Sequence, residues 1–243
     1  MNKEMVILSI ETSSRIGSVA LGFGSNIATE AFFSDIMRHS AEIFPALCKL
    51  CNDYSLKPED IQQLYISNGP GSFTGLRIAA TIAKTMHLAN KVKIVAVNTL
   101  DVIASNALDF IKDKANDTKI ERVAAILDAK RGQFFIAAYD IINGSEDIYL
   151  KKITPDSLMT SSEFIGKYVD NQKSLWLLGD GLVFHKKLFT HEYINFCDEQ
   201  YWRPKASKVY EIGWKTALEN QFTDPVKLKP FYLCRPDIHV KQR

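Results

Sequence analysis

The chain has 243 residues, 46% hydrophobic and 24% charged, enough for one large or two small domains with a core that needs no disulfide or metal staple. Thirty lysines and arginines against 28 carboxylates leave a net charge of +2, which excludes the broad cationic footprint of a protein that wraps nucleic acid, though not a shared contact with RNA. No apolar run approaches the roughly 18 residues of a membrane span, and the first, residues 5–10, is cut by Glu11 before it could serve as a secretory signal, so a cytoplasmic location is expected.

Hydrophobic periodicity lays out two passes through one order of elements. Strands are expected at residues 5–10, 16–22 and 27–33, a helix at 40–52, a strand at 64–67, a helix at 75–90, a strand at 93–97 and a helix at 100–112. The second pass places strands at 122–127, 133–139 and 148–153, a helix at 162–168 and a strand at 175–178. A helix at 182–189, a strand at 193–196 and a helix at 207–220 complete it. Each half reads β-β-β-α-β-α-β-α, a repeat of pattern without visible repeat of sequence. Three hairpin strands followed by alternating helices and strands imply α/β lobes, each a mixed sheet flanked by helices, facing one another across a cleft. The division is expected between residues 1–112 and 113–243, at the polar stretch Asp113-Lys114-Ala115-Asn116-Asp117-Thr118. Whether the last helix packs back on the first domain is left open.

The turns after the first strand of each half form a matched pair, Ile10-Glu11-Thr12-Ser13-Ser14-Arg15-Ile16-Gly17 and Leu127-Asp128-Ala129-Lys130-Arg131-Gly132. Each sets one carboxylate at the end of a central strand, where open sheets collect their ligands. Glu11 and Asp128 there either hold a metal-bound water or tie down hairpin turns; Thr12 and Ser13 offer hydroxyls to a phosphate. The segment Asn68-Gly69-Pro70-Gly71-Ser72-Phe73-Thr74-Gly75-Leu76-Arg77 feeds a helix N-terminus, whose free N–H groups favour anions. It matches neither the P-loop nor the dinucleotide glycine spacing, so Gly69, Gly71, Ser72, Thr74 and Gly75 form either an anion or nucleotide edge or a tight structural turn.

The helix near residues 37–54 carries two apolar stripes, at 37, 41, 44, 48, 51 and at 43, 47, 50, 54, more than one sheet face covers. In the next helix Gly75, Ala79 and Ala83 make an i, i+4 ridge that lets another helix approach closely. These features fit either a protein–protein interface or deep burial within one chain. Cys48 and Cys51 share a redox or half-zinc spacing, but they fall inside a helix without a second ligand pair and read as packed thiols. None of the five histidines stands at metal-ligand spacing; His39, in Arg38-His39-Ser40 at a helix start, is the one of interest.

Together Ile10-Glu11-Thr12-Ser13, Arg38-His39-Ser40, Gly69–Arg77, Asp128-Ala129-Lys130-Arg131-Gly132, Gly179-Asp180-Gly181 and Pro230-Phe231-Tyr232-Leu233 resemble, in order and over nearly the whole chain, the bacterial TsaB (YeaZ) family. The resemblance implies the duplicated actin-like ATPase, sugar-kinase and Hsp70 (RNase H-like) fold. It also implies a role in forming N6-threonylcarbamoyladenosine at tRNA position 37. In that pathway TsaC makes threonylcarbamoyl-AMP, the paralogue TsaD transfers the group to adenine, and TsaE completes the assembly. TsaD carries a His-x-x-x-His metal pair whose positions here fall on Thr99 and Ile103, and Ser14-Arg15 replaces an acid in the opening turn; Ile103 has no donor atom and arginine stays protonated. The expectation is therefore a subunit with no catalytic residues, metal or cofactor of its own, with ATP or ADP at the subunit junction left open. It would pair with TsaD, or with itself when alone, through Met37, Arg38, His39, Ala41, Phe44, Cys48, Ala79, Ala83 and Met86. An independent nucleotide phosphotransferase or ATPase, and a tRNA-docking module, are the alternatives.

Overall fold

The computed structural model describes residues 4–36, 38–114, 120–144, 147–169 and 173–233. Met37, residues 115–118 of the expected seam, Cys234 and His239 lie outside these. The strand β1 (Val6–Glu11) is buried at every position, as a strand covered on both faces must be. It pairs antiparallel with β2 (Ser18–Phe23), which pairs with β3 (Asn26–Phe32), and parallel with β4 (Ile61–Ser67), which pairs with β5 (Lys93–Val97). The sheet order is β3-β2-β1-β4-β5.

The second half repeats this plan. Its central strand β6 (Arg122–Lys130) pairs antiparallel with β7 (Gln133–Asn143), and β7 with β8 (Ile148–Lys152). A short strand β9 (Ser157–Thr160), absent from the sequence reading, also joins β7. On its other side β6 runs parallel to β10 (Leu175–Leu178), and β10 to β11 (Ile194–Phe196). Two mixed sheets flanked by helices are thus the α/β architecture that the repeated pattern implies.

The helices are α1 (His39–Asp53), α2 (Phe73–Asn90), α3 (Thr99–Asp113), α4 (Ser161–Tyr168), α5 (Leu182–His185) and α6 (Ala206–Leu218). The helix expected over 182–189 breaks after one turn into a 3-10 segment, Lys186–Phe189. Side chains start three of them. Ser72 caps α2 through Gly75 N–H, Asn98 caps α3 through Leu100 N–H at 2.8 Å, and Thr160 forms a reciprocal box with Glu163 on α4.

Packing crosses the chain's midpoint in both directions. From α3, Ile103, Ala104, Ala107 and Phe110 enter the core of the second sheet beside Val123, Ala125 and Phe134. From α6, Val209, Tyr210 and Ala217 cover Ile7, Tyr65, Val95 and Val97 of the first. Ser9 Oγ donates to the Ala206 carbonyl at 2.7 Å, and Ala206 N–H donates to Ser18 Oγ at 2.8 Å, fixing where α6 begins. Between the two helices, Lys208 Nζ donates to Asp109 Oδ1 and Glu211 Oε2, each at 2.9 Å. Each sheet therefore owes one of its covering helices to the other half of the chain.

Candidate functional site

The two opening turns and the two glycine-bearing turns converge between the lobes, at the ends of β1, β4, β6 and β10. Glu11 ends β1 with its side chain turned into the protein, fully buried. Ser13 N–H and Oγ donate to its Oε1 at 2.6 and 2.5 Å, while Oε2 is buried without a hydrogen-bond partner. Burial pushes its carboxyl above the usual range, opposed by the Ser13 and Ser67 groups and reinforced by Asp180. Through these bonds Glu11 braces its own turn.

The glycine loop lies directly on that turn. Thr12 Oγ1 donates to the Gly75 carbonyl at 2.8 Å, and Ser72 N–H donates to the Ser13 carbonyl at 2.7 Å. Gly75 and Gly71 face the Thr12 and Ser13 backbone so closely that a Cβ on either would overlap it, and Gly71 also has φ +156°. Gly69 lies outside the cleft, its φ of +113° allowing Thr99 N–H to reach its carbonyl at 2.9 Å beneath the returning C-terminal segment. That segment is anchored where Phe231 N–H donates to the Asn68 carbonyl at 2.7 Å.

Across the cleft, Asp128 is held by Lys130, whose Nζ and N–H each donate at 2.7 Å, with His185 Nε2 4.0 Å away. Burial alone would raise its carboxyl; Lys130 and His185 outweigh it and hold the group below the usual range. Asp180, which is 7% exposed, accepts from Arg15 N–H at 3.2 Å and is pushed upward by burial. The open cleft has a volume of about 390 Å³, with Ser13, Gly71, Ser72 and Thr74 on one wall and Asp128, Asp180 and His185 on the other. Phe73, Leu127, Phe135, Phe184, Phe231 and Leu233 make it largely apolar.

Two contacts of this cleft are absent from the sequence reading. The Arg15 guanidinium lies 4.2 Å over the ring of Phe184, tying the lobes together, and Arg77 lies 3.6 Å over Phe73. Arg77 Nε also donates to Tyr232 Oη at 3.3 Å. Only the second pair had a usable signal, its i, i+4 spacing on α2.

The carboxylates of this cleft are not placed as free ligands for a magnesium nucleoside triphosphate, the group that the resemblance to actin-like ATPases implies. One acid is sealed away, one is neutralised by a lysine, and the third is engaged by Arg15. No group of three His, Cys, Asp or Glu side chains that could hold a metal occurs among the described residues. Thr99 and Ile103 are fully buried at the start of α3, Ile103 within the second sheet's core.

The candidate interface residues divide sharply. Ala41, Phe44 and Cys48 face outward along α1, Phe44 at 59% exposure, and Arg38 is exposed 3.6 Å from Glu42. The other stripe, Ile43, Leu47 and Leu50, faces the core. His39, Ala79 and Ala83 are corrections. Ala79 and Ala83 are fully buried, because the small-residue ridge seats α2 within its own lobe. His39 is buried with Nε2 2.9 Å from the Ser14 carbonyl, its pKa lowered by burial against that contact. Met86 is half-buried against the same core. Cys51 sits in the last turn of α1 with its thiol pushed up by burial and by Cys48, opposite to what a redox thiolate needs. No helix among the described residues is long and apolar enough to cross a membrane.

The family model described as TsaD, tRNA N6-adenosine threonylcarbamoyltransferase, matches residues 34–222. The tRNA threonylcarbamoyladenosine biosynthesis protein TsaB of Bacillus subtilis is 29% identical over 98% of this chain and 97% of its own length. That of Escherichia coli is 33% identical over 56% of this chain and 55% of its own. The structure of YeaZ from Pseudomonas aeruginosa superposes with a TM-score of 0.74 at 18% identity, covering 94% of this chain and all of that one.

Proposed function

The chain belongs to the TsaB (YeaZ) family of tRNA threonylcarbamoyladenosine biosynthesis, and on that premise we propose that it is the non-catalytic partner of TsaD, docking on it through α1. The observation that carries this reading is the outward stripe Ala41, Phe44 and Cys48, an apolar face left exposed among the described residues. Burial of such a stripe against a helix of a related fold gives the aromatic anchor and small neighbours typical of helical interfaces. The absence of imidazoles at Thr99 and Ile103, and the sealed carboxylate of Glu11, support a supporting rather than a chemical role.

In this reading the chain holds its partner's cleft in a competent geometry and contributes no metal or nucleotide of its own. ATP or ADP, where required, binds at the junction with TsaD, and TsaE joins the paired subunits. The same stripe supports a homodimer when TsaD is absent. The test is threonylcarbamoyl transfer to tRNA with TsaC, TsaE, ATP and threonine supplied, comparing this chain, TsaD, and both together. Product only from the pair is expected. Product from this chain without TsaD would overturn the reading.

A further inference from the structure

The mouth of the cleft carries chemistry that a docking subunit does not use. On one lobe Phe73 is 37% exposed beneath the Arg77 guanidinium, with the Tyr232 ring 5.4 Å away. On the other Phe184 is 69% exposed beneath Arg15. Phe231, 42% exposed, stands at the same opening. Exposed rings paired with guanidinium groups are the surface on which unpaired bases stack, the cations meeting the phosphodiester backbone.

Behind these rings the cleft offers about 390 Å³, near the lower end of small-ligand sites and room for one nucleotide rather than a strand. Its inner wall bears the Asp128 and Asp180 carboxylates, acceptors for an amino group on a base edge. A single base entering from an RNA strand leaves its phosphates outside the apolar cleft, on the side where the Arg15 and Arg77 guanidinium groups lie over the Phe184 and Phe73 rings.

We propose that the cleft mouth, through Phe184, Phe73 and their arginines, takes one unpaired nucleotide of the RNA substrate. The proposal rests on the tRNA-modification reading and deepens it, giving this subunit a direct hold on RNA. Local rather than global charge carries it, which is compatible with the chain's net charge of +2.

The experiment titrates the full chain, alone and paired with TsaD, into three fluorescein-labelled probes: an unmodified tRNA transcript, a single-stranded hexanucleotide and a blunt-ended RNA duplex of two fully complementary strands. Phe184→Ala is expected to weaken binding of the tRNA and the hexanucleotide roughly tenfold, as expected for loss of one base–aromatic stack. Phe184→Tyr restores it, and Leu88→Ala, an equally exposed position on α2, changes nothing. Because Phe184 is largely exposed, the variant keeps its fold, which circular dichroism checks. Equal binding by wild type and Phe184→Ala overturns the proposal. So does equal affinity for the duplex, or competition by free AMP at the same concentration as the hexanucleotide, which would mark a free-nucleotide site. Gel filtration of the same variants with TsaD separates the two readings: pairing without a Phe184-dependent RNA contact rejects this inference alone, and failure of wild type to pair rejects the docking role.

Discussion

Gly75→Ala tests the contact on which the cleft is built. A Cβ at Gly75 would stand 2.9 Å from the Thr12 carbonyl carbon and closer still to its oxygen, where packed heavy atoms keep about 3.5–4.0 Å. Neither side can yield locally, since both are backbone: Thr12 continues from a buried central strand and Gly75 lies in the first turn of α2. Overpacking of this kind costs about 1–3 kcal/mol. Displacing α2 also strains the bonds from Thr12 Oγ1 to Gly75 and from Ser72 to Ser13, each contributing about 1 kcal/mol. The better helix propensity of alanine returns at most about 1 kcal/mol. The expected net loss is about 3 kcal/mol, read as a lower urea midpoint at unchanged slope, or a fall of about 6–12 °C in thermal midpoint for a chain of this size. Gly166→Ala supplies the opposite sign: nothing lies within 4 Å of its Cβ, so in exposed α4 it should gain about 0.5–1 kcal/mol. A loss below about 1 kcal/mol for Gly75→Ala would refute the argument, showing that the opening turn moves freely.

Phe44→Glu should leave the thermal midpoint nearly unchanged, the ring being 59% exposed, yet weaken pairing with TsaD at least a hundredfold, measured by titration calorimetry. Unchanged affinity would move the interface off α1. For Glu11, whose folded pKa lies above its unfolded value, the buried carboxyl's contribution to stability is greatest at acid pH and is lost as pH rises through that window. Glu11→Gln should therefore gain stability relative to wild type as pH rises above the ordinary carboxylate range; a constant difference would show that the carboxyl does not titrate there. Lys208→Ala should cost about 1–3 kcal/mol in urea unfolding, mostly from its buried stem, because Asp109 and Glu211 are exposed enough to resolvate. A neutral result would mean that the joint between α3 and α6 is held by apolar packing alone.

Most of the fold was legible because its longer helices carry a clear period, its central strands read as short apolar runs, and the two halves repeat one order. β9 was missed because Ser157–Thr160 is too short to show alternation. Within the site, the glycine spacing pointed to a tight turn or an anion edge without naming the opening turn, against whose backbone Gly71 and Gly75 lie. Spacing gave two apolar stripes on α1 without saying which faces the sheet; only the packed lobe decides that Ile43, Leu47 and Leu50 do. The ridge of Ala79 and Ala83 was misassigned for the same reason, since small residues permit a close neighbour without naming it. The direction of the Glu11 side chain and the Arg15–Phe184 contact depend on how the lobes meet, which no local pattern encodes.

The exchange of covering helices sets a schedule for biosynthesis. The first half emerges from the ribosome with Ile7, Tyr65, Val95 and Val97 of its sheet still uncovered, because their cover, Val209, Tyr210 and Ala217, is translated near the end. The nascent lobe must therefore wait, oily face bare, through the synthesis of the entire second sheet, an interval in which chaperone capture competes with collapse. A polypeptide cut at the midpoint should consequently precipitate unless its other fragment is co-expressed to lend back the missing helix.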